Sequence, residues 1–442
     1  MRKVLGLLTV SLSLLTPCLA QEMKADSLPL SLEDAWQRAD DYSLELRSKR
    51  LDQQINNEHI QDAQQQRLPR VEASASYGKL ANIPVFVDGI LNEPEYIPIE
   101  DHSTYDVGME AYFNLYNGHK TKLAIEKARS QADLSEHIAQ ATQSEIHYEV
   151  AQYYLDILRS KEFGEIIEHN IARNEQRLSQ ITQLYQNGVV LKSDLLRAQL
   201  QLSQQKINRQ KMLNNVGIAS QKLNQILGFE DNHPLRLADS ISFTTLDSER
   251  QYADYVALAM EQSPFEKMAE TQISLSELNE QEVKAEKRPR IGLFGEYSYS
   301  YPQIMLYPYS NSPYLLGVAG IKISYDLSSL YTHKHKHAAA SLQVQQQQVA
   351  KANTEESLRS KIKTAYLHFR EDQDNIDVSK INIQQAEENY RIVHQTYFNK
   401  LSLLTDLLEA DTELLRAQFD LVNNYISARL HFYQLQKITG QL

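Results

Sequence analysis

The sequence predicts a mainly α chain with some β, built from a helix–hairpin unit that occurs twice. Three observations carry this. First, Tyr185/Tyr397, Asn187/Asn399, Leu191/Leu403, Asp194/Asp406, Ala198/Ala410, Leu223/Leu435 and Gly228/Gly440 all lie 212 residues apart. The offset also holds upstream, at Tyr154/Tyr366 and Leu115/Leu327. A fixed offset over such a length means two copies of one structural unit with no net insertion. Second, in each half helical periodicity gives way to strict alternation behind a proline. Third, each half has a long proline-free stretch, Lys120–Gln186 and His335–Phe398.

The first twenty residues combine Arg2 and Lys3, an apolar run from Val4 to Leu15, and Cys18-Leu19-Ala20. That is the pattern of a secretory signal, with cleavage expected after Ala20. Cys18 is the sole cysteine, and Pro17 before it argues against lipidation. The mature chain then has no thiol, which excludes disulfides and thiolate chemistry and suits an oxidising compartment. No later segment approaches the ~20 apolar residues of a membrane helix. The net charge is −12, and loss of Arg2 and Lys3 makes the mature chain more acidic. With no basic face interleaved with aromatics, nucleic acid is excluded as a partner.

From Ser31 to Gln66 the pattern is helical, with Leu32, Ala35, Trp36 and Ala39 at three-to-four spacing. Trp36, the one tryptophan, reads as a packing anchor. Leu68-Pro69-Arg70 ends the helix, and Val71, Ala73, Ala75 and Tyr77 then alternate with Glu72, Ser74, Ser76 and Gly78 as a strand. A loop is expected over Ala81–Asp101, and a return strand ends at Tyr116-Asn117-Gly118. In the second half Arg288-Pro289-Arg290 stops a helix. Ile291, Leu293, Gly295, Tyr297 and Tyr299 share one strand face, and Tyr314–Leu327 returns after a Tyr- and Pro-rich loop. Strands of roughly ten residues can cross a bilayer in a barrel, and tyrosines suit its interfaces. From these residues alone a soluble hairpin fits equally well. Four strands cannot close a barrel, so a membrane reading requires several chains.

The long helices carry an apolar seam, such as Leu404, Leu408, Leu415, Val422 and Tyr425, with Gln, Glu, Asn and Lys elsewhere, as in coiled coils. Each pair reverses at a tight turn. Asn187-Gly188 is a turn signal because glycine tolerates positive φ, and Ser193 and Asp194 can cap or charge the next helix. In the second copy Lys400 replaces the glycine, so that turn needs another conformation or carries strain. The expected organisation is a signal peptide over 1–20 and a first repeat over 21–228, with strands near 68–80 and 103–116. A small inter-repeat element with a short helix, Tyr252–Gln262, follows over 229–263. A second repeat covers 264–442, with strands near 289–301 and 314–327.

These features in this order make the chain resemble the TolC-type outer-membrane efflux proteins. The residues that carry the resemblance are Leu68-Pro69-Arg70-Val71 and Arg288-Pro289-Arg290-Ile291 before the hairpins, and Phe113 to Gly118 after the first. Leu184 to Ala198 and its copy Tyr397 to Ala410 complete the set. The resemblance implies a homotrimer in outer-membrane lipid, with four strands per chain in a twelve-stranded β-barrel and the helices forming a periplasmic α-barrel closed at its inner tip. It implies an exit duct of a tripartite efflux pump or type I secretion system. The implied partners are a periplasmic adaptor of the membrane-fusion kind and an inner-membrane RND or ABC transporter. It implies outward passage of drugs, toxins, metals or proteins, with no cofactor and no bond chemistry. A periplasmic coiled-coil adaptor or scaffold is the alternative, although two hairpins of each kind do not match it. An enzyme has no support: there is no nucleophile elbow or phosphate loop.

Carried over position by position, the resemblance assigns the pore constriction to Asp406 and Glu409, which share a helix face at i, i+3. By itself such a pair is a solvated face. The tip-closing positions are Ser193, Asp194 and Tyr397. Ser402 stands where the family has an arginine, and nearby Lys400 is a candidate substitute. The turns with Tyr185, Asn187, Gly188 and Asn399 would meet the adaptor. His333, His335 and His337 suggest a metal site, but Lys334 and Lys336 between them would repel a cation, and a solvated or headgroup-facing basic patch is the better reading.

Overall fold

The computed structural model describes residues 29–97, 102–241, 250–305 and 310–442. The expected signal peptide lies outside the described residues. Two helices come first among the described residues, α1 (Leu32–Tyr42) and α2 (Leu44–Gln65), where the sequence suggested one. Ser31 caps α1 through a reciprocal box with Asp34, and Ser43 ends α1 in an extended conformation while its hydroxyl accepts from Leu46 N–H.

Strand β1 (Arg70–Lys79) follows the predicted proline break. The segment expected as a loop contains a small ribbon, β2 (Ile83–Val85) paired with β3 (Glu95–Ile97). It is too short to leave an alternating signature. Then come β4 (Ser103–Tyr116), α3 (Lys120–Gln186) and α4 (Lys192–Ile226). The short helix α5 (Tyr252–Gln262) follows, and then α6 (Pro264–Ala285), β5 (Arg290–Tyr301), β6 (Tyr314–Ser324), the single turn α7 (Ser329–Thr332), α8 (Lys334–Phe398) and α9 (Leu404–Thr439). β6 stops three residues short of the expected Leu327.

The four long strands form one antiparallel sheet in the order β1-β4-β5-β6. The duplication seam is therefore the β4–β5 pair, and β1 and β6 are open edges. The register sorts the residues into two faces. Val71, Ala111 and Gly295 lie in one row, and Ala73, Met109 and Tyr297 in the next, so every second position is apolar or aromatic. The other face carries Glu72, Glu110, Glu296, Asp106, Ser298 and Lys322. Both faces are largely exposed in the single chain. An apolar face with two open edges belongs in lipid only if neighbouring chains close the sheet.

Helix α3 has 67 residues and α8 has 65, so each reaches about 100 Å from the sheet at ~1.5 Å per residue. α4 and α9 return about half that way, and α2 and α6 cover the remaining length along α3 and α8. The largest core lies at this halfway level, where Leu32, Ala35 and Leu46 meet Val150, Tyr154, Leu155, Leu223 and Ile426. Trp36 joins it, donating to the His147 carbonyl at 2.8 Å and stacking on the His147 ring. Leu30 is threaded into the inter-repeat segment, accepting from Ala238 N–H and donating to Arg236 O, and α5 packs on α8 and α9 through Tyr255 and Ala259. The expected seam of α9 is partly corrected: Leu404, Leu415, Val422 and Tyr425 are buried, but Leu408 is half-exposed and its neighbour Leu407 takes the core position.

Candidate functional site

The ends of the helix pairs farthest from the sheet have the same turn in both copies. Gly188 N–H donates to Tyr185 O and Val189 N–H to Leu184 O, at 2.9 and 2.8 Å. Lys400 N–H donates to Tyr397 O and Leu401 N–H to Thr396 O, both at 2.8 Å. This double bond pattern closes a helix with one left-handed residue. Gly188 takes it with φ 70° and Lys400 with φ 64°. Of the two expected alternatives for Lys400, the chain adopts the strained one and keeps the turn.

The next helices begin differently from the expected caps. The N-cap of α4 is Leu191, without a side-chain bond, so Ser193 caps nothing and Asp194 contributes only charge to the first turn. In α9 the Asp406 carboxylate reaches back to accept from Leu403 N–H at 3.0 Å. Asp406 and Glu409 are both exposed, while Leu407 and Ala410 face the core. The two acids therefore sit on the outward side of the first two turns of α9.

Tyr397 is buried against Ile181, Ala198, Leu404 and Leu407. Its hydroxyl has no hydrogen-bond partner among the described residues, and burial followed by the nearby charge of Asp194 pushes its pKa up. Ser402 shares a hydrogen bond of 3.2 Å with Thr396 of its own turn, and Lys400 makes no ion pair among the described residues. Tyr185, Asn187, Gly188 and Asn399 are exposed on the turns.

One feature near the tip was not read from the sequence. Asp411 of α9 is buried and accepts from Asn170 and Asn174, both at α3 core positions. Arg177, also buried, lies 3.2 Å from Asp411 and donates to Tyr390 of α8 at 2.9 Å. Burial opposes the charge of Arg177, but the charge and hydrogen bond of Asp411 together with those of Tyr390 raise the arginine pKa. Asn170, Asn174 and Arg177 follow the i, i+4, i+7 spacing of a core stripe, and polar residues on that stripe were the available signal.

His333 lies near Glu286 and His337 near Glu280, at 3.5 and 3.8 Å, so these two histidines face carboxylates of α6 and its end. Among the described residues no group of three or more metal-ligating side chains comes together.

The family model of outer membrane efflux proteins matches residues 35–229 and 256–441, one segment for each repeat. A search of curated proteins finds no match. Among solved structures, the outer-membrane channel OprN aligns with TM-score 0.78 at 14% identity, covering 93% of this chain and 90% of that one. The outer membrane protein VceC of Vibrio cholerae aligns with TM-score 0.75 at 18% identity, covering 92% and 96%. The MtrE outer-membrane channel of Neisseria gonorrhoeae, in its open state, aligns with TM-score 0.72 at 17% identity, covering 92% and 88%. These likenesses carry the fold, and the family match carries the function. The adaptor alternative is not favoured, since the match takes in both repeats with their strands. The chain belongs to the outer membrane efflux protein family, whose members are trimeric channels that span the outer membrane, extend into the periplasm and work with periplasmic adaptors and inner-membrane transporters.

Proposed function

We propose that Asp406 and Glu409 form the acidic constriction of this efflux channel, and that the turns with Tyr185, Asn187, Gly188 and Asn399 receive the adaptor. The observation that carries the reading is the exposed pair of carboxylates on one side of α9, anchored from behind by Leu407 and Ala410. Under three-fold symmetry the pair becomes two stacked rings of like charge, which attract cations and repel anions. Asp194 and Tyr397 are the intrachain half of the closing contacts. Lys400, exposed and without a carboxylate partner among the described residues, is placed to meet an acid of the neighbouring chain, and Ser402 stays within its turn. Secretion follows cleavage after Ala20, which intact mass of the purified mature chain measures.

The test is ion conductance of the purified trimer in a planar bilayer, with Asp406→Ala/Glu409→Ala beside wild type. The expected result is a small, cation-favouring conductance in wild type and loss of that preference in the variant. A conducting variant with unchanged preference would refute the assignment of these two residues.

A further inference from the structure

Where the sheet meets the helices there is a cleft of about 580 Å³. Four cations line it: Lys120 opens α3, Arg288 precedes β5, Arg290 begins it, and Lys336 lies in the first turn of α8. The acids of the cleft are already engaged. Glu286 holds Lys336 at 2.6 Å, His333 at 3.5 Å and Lys120 at 3.9 Å. Asp326 accepts from the Ser328 N–H at 3.0 Å and from its hydroxyl at 2.6 Å. Arg288 gives one N–H to the Gly118 carbonyl at 3.2 Å. Among the described residues neither Arg288 nor Arg290 has a carboxylate partner, in a chain whose net charge is −12.

The strand register fixes where the cleft opens. Arg290 pairs with Ser324, and both positions belong to the polar face that carries Glu296 and Lys322. In a closed trimeric barrel that face lines the lumen. Each chain thus brings two uncompensated guanidiniums to the inner mouth of the β-barrel.

We propose that this cleft is an anion-binding site inside the duct, recognising phosphate or carboxylate groups of molecules passing from the helical barrel into the β-barrel. A guanidinium fork matches both groups in a bidentate geometry. Glu296 lies six residues further along β5, about 20 Å at ~3.3 Å per residue. The site therefore stands between an acidic row in the barrel and the acids at the tip. It raises the local concentration of anionic groups where both neighbouring zones lower it. The inference uses the duct reading only for the direction in which the cleft opens.

The experiment is calorimetric titration of pyrophosphate into the detergent-solubilised trimer, in a phosphate-free buffer of low ionic strength. Saturable binding is expected in wild type. Loss of a charged hydrogen bond weakens it about tenfold or more in Arg290→Gln. Lys334→Gln, outside the cleft, is expected to bind as wild type. The Arg290 side chain is exposed and makes no hydrogen bond among the described residues, so its replacement leaves the fold in place. Should Arg290→Gln fail to assemble, Arg290→Lys keeps the charge without the fork and is expected to bind several-fold more weakly. Absent binding, or equal affinity in wild type and the Arg290 variants, overturns the site. Nanodiscs of phosphatidylcholine and phosphatidylglycerol separate the sources of anion. Binding retained in both supports a lumenal site, and binding abolished by phosphatidylglycerol assigns the cleft to lipid headgroups and overturns the proposal. A trimer that conducts ions but binds no pyrophosphate refutes the site and leaves the duct intact.

Discussion

Arg177 of α3 and Asp411 of α9 form an ion pair of 3.2 Å in which both side chains are almost wholly excluded from solvent. The pair joins the first repeat to the second near the tip, and Tyr390 extends it to α8. Removing one partner of a buried pair strands the other charge at a cost of about 3–5 kcal/mol, whereas apolar replacement of both is often neutral or better. Asp411→Ala is therefore expected to lower the thermal unfolding temperature of the trimer markedly. Arg177→Met/Asp411→Leu is expected to recover most of the loss. Circular dichroism melts of both variants in detergent check this, and a double variant as unstable as the single one contradicts it.

The same region is expected to respond to pH through His394. Burial, followed by the charge of Arg177, holds His394 below its ordinary pKa of 6.5. The folded chain thus binds this proton less readily than the unfolded chain. The contribution to stability is present above pH 6.5 and is lost as pH falls from there through the lower folded value. Proteolysis of the tip helices is expected to accelerate on mild acidification in wild type and to lose part of that dependence in His394→Gln.

Lys400 holds a left-handed conformation with φ 64° at the place where Gly188 stands in the first copy. For a residue with a Cβ that conformation costs roughly 1–2 kcal/mol, and the greater freedom of an unfolded glycine offsets part of it. Lys400→Gly is expected to be neutral or to stabilise by up to about 1 kcal/mol. Gly188→Lys is expected to destabilise by a similar amount. Denaturant midpoints of the two variants measure the difference.

Glu72 pairs with Glu110, and Glu110 with Glu296, on three adjacent strands. Like charges directly opposite one another destabilise a sheet, so the row is retained at a cost. On the polar face of a trimeric barrel it becomes a belt of carboxylates. Glu110→Gln is expected to leave trimer assembly intact and to reduce cation preference, read as a shift of reversal potential in a salt gradient. An unchanged potential would mean that the row does not face the conduction path.

Much of the architecture was legible in the sequence because it rests on local chemistry. The proline breaks at Pro69 and Pro289, the alternation that follows them, the proline-free runs and the 212-residue offset are properties of neighbours along the chain or of the copied pattern. They placed the four long strands and the long helices. The β2–β3 ribbon escaped because three-residue strands are too short to show a period. The break at Ser43 escaped because a helical pattern continues on both sides of it.

The duplication, the pairing of a hairpin with long helices in each copy, and the match to a family of export channels can all be read along the chain. Which residues meet across the copies is set by packing. The order β1-β4-β5-β6 makes the two halves one sheet with open edges. The packing of α3 against α9 turns Asp411 from one acid among many into the partner of Arg177. The meeting of β5, β6, α3 and α8 leaves Arg288 and Arg290 uncompensated above the other charges of the cleft. Periodicity records which way a side chain leaves its own element. What it finds there depends on elements far away in sequence, brought close only when the apolar faces are buried together.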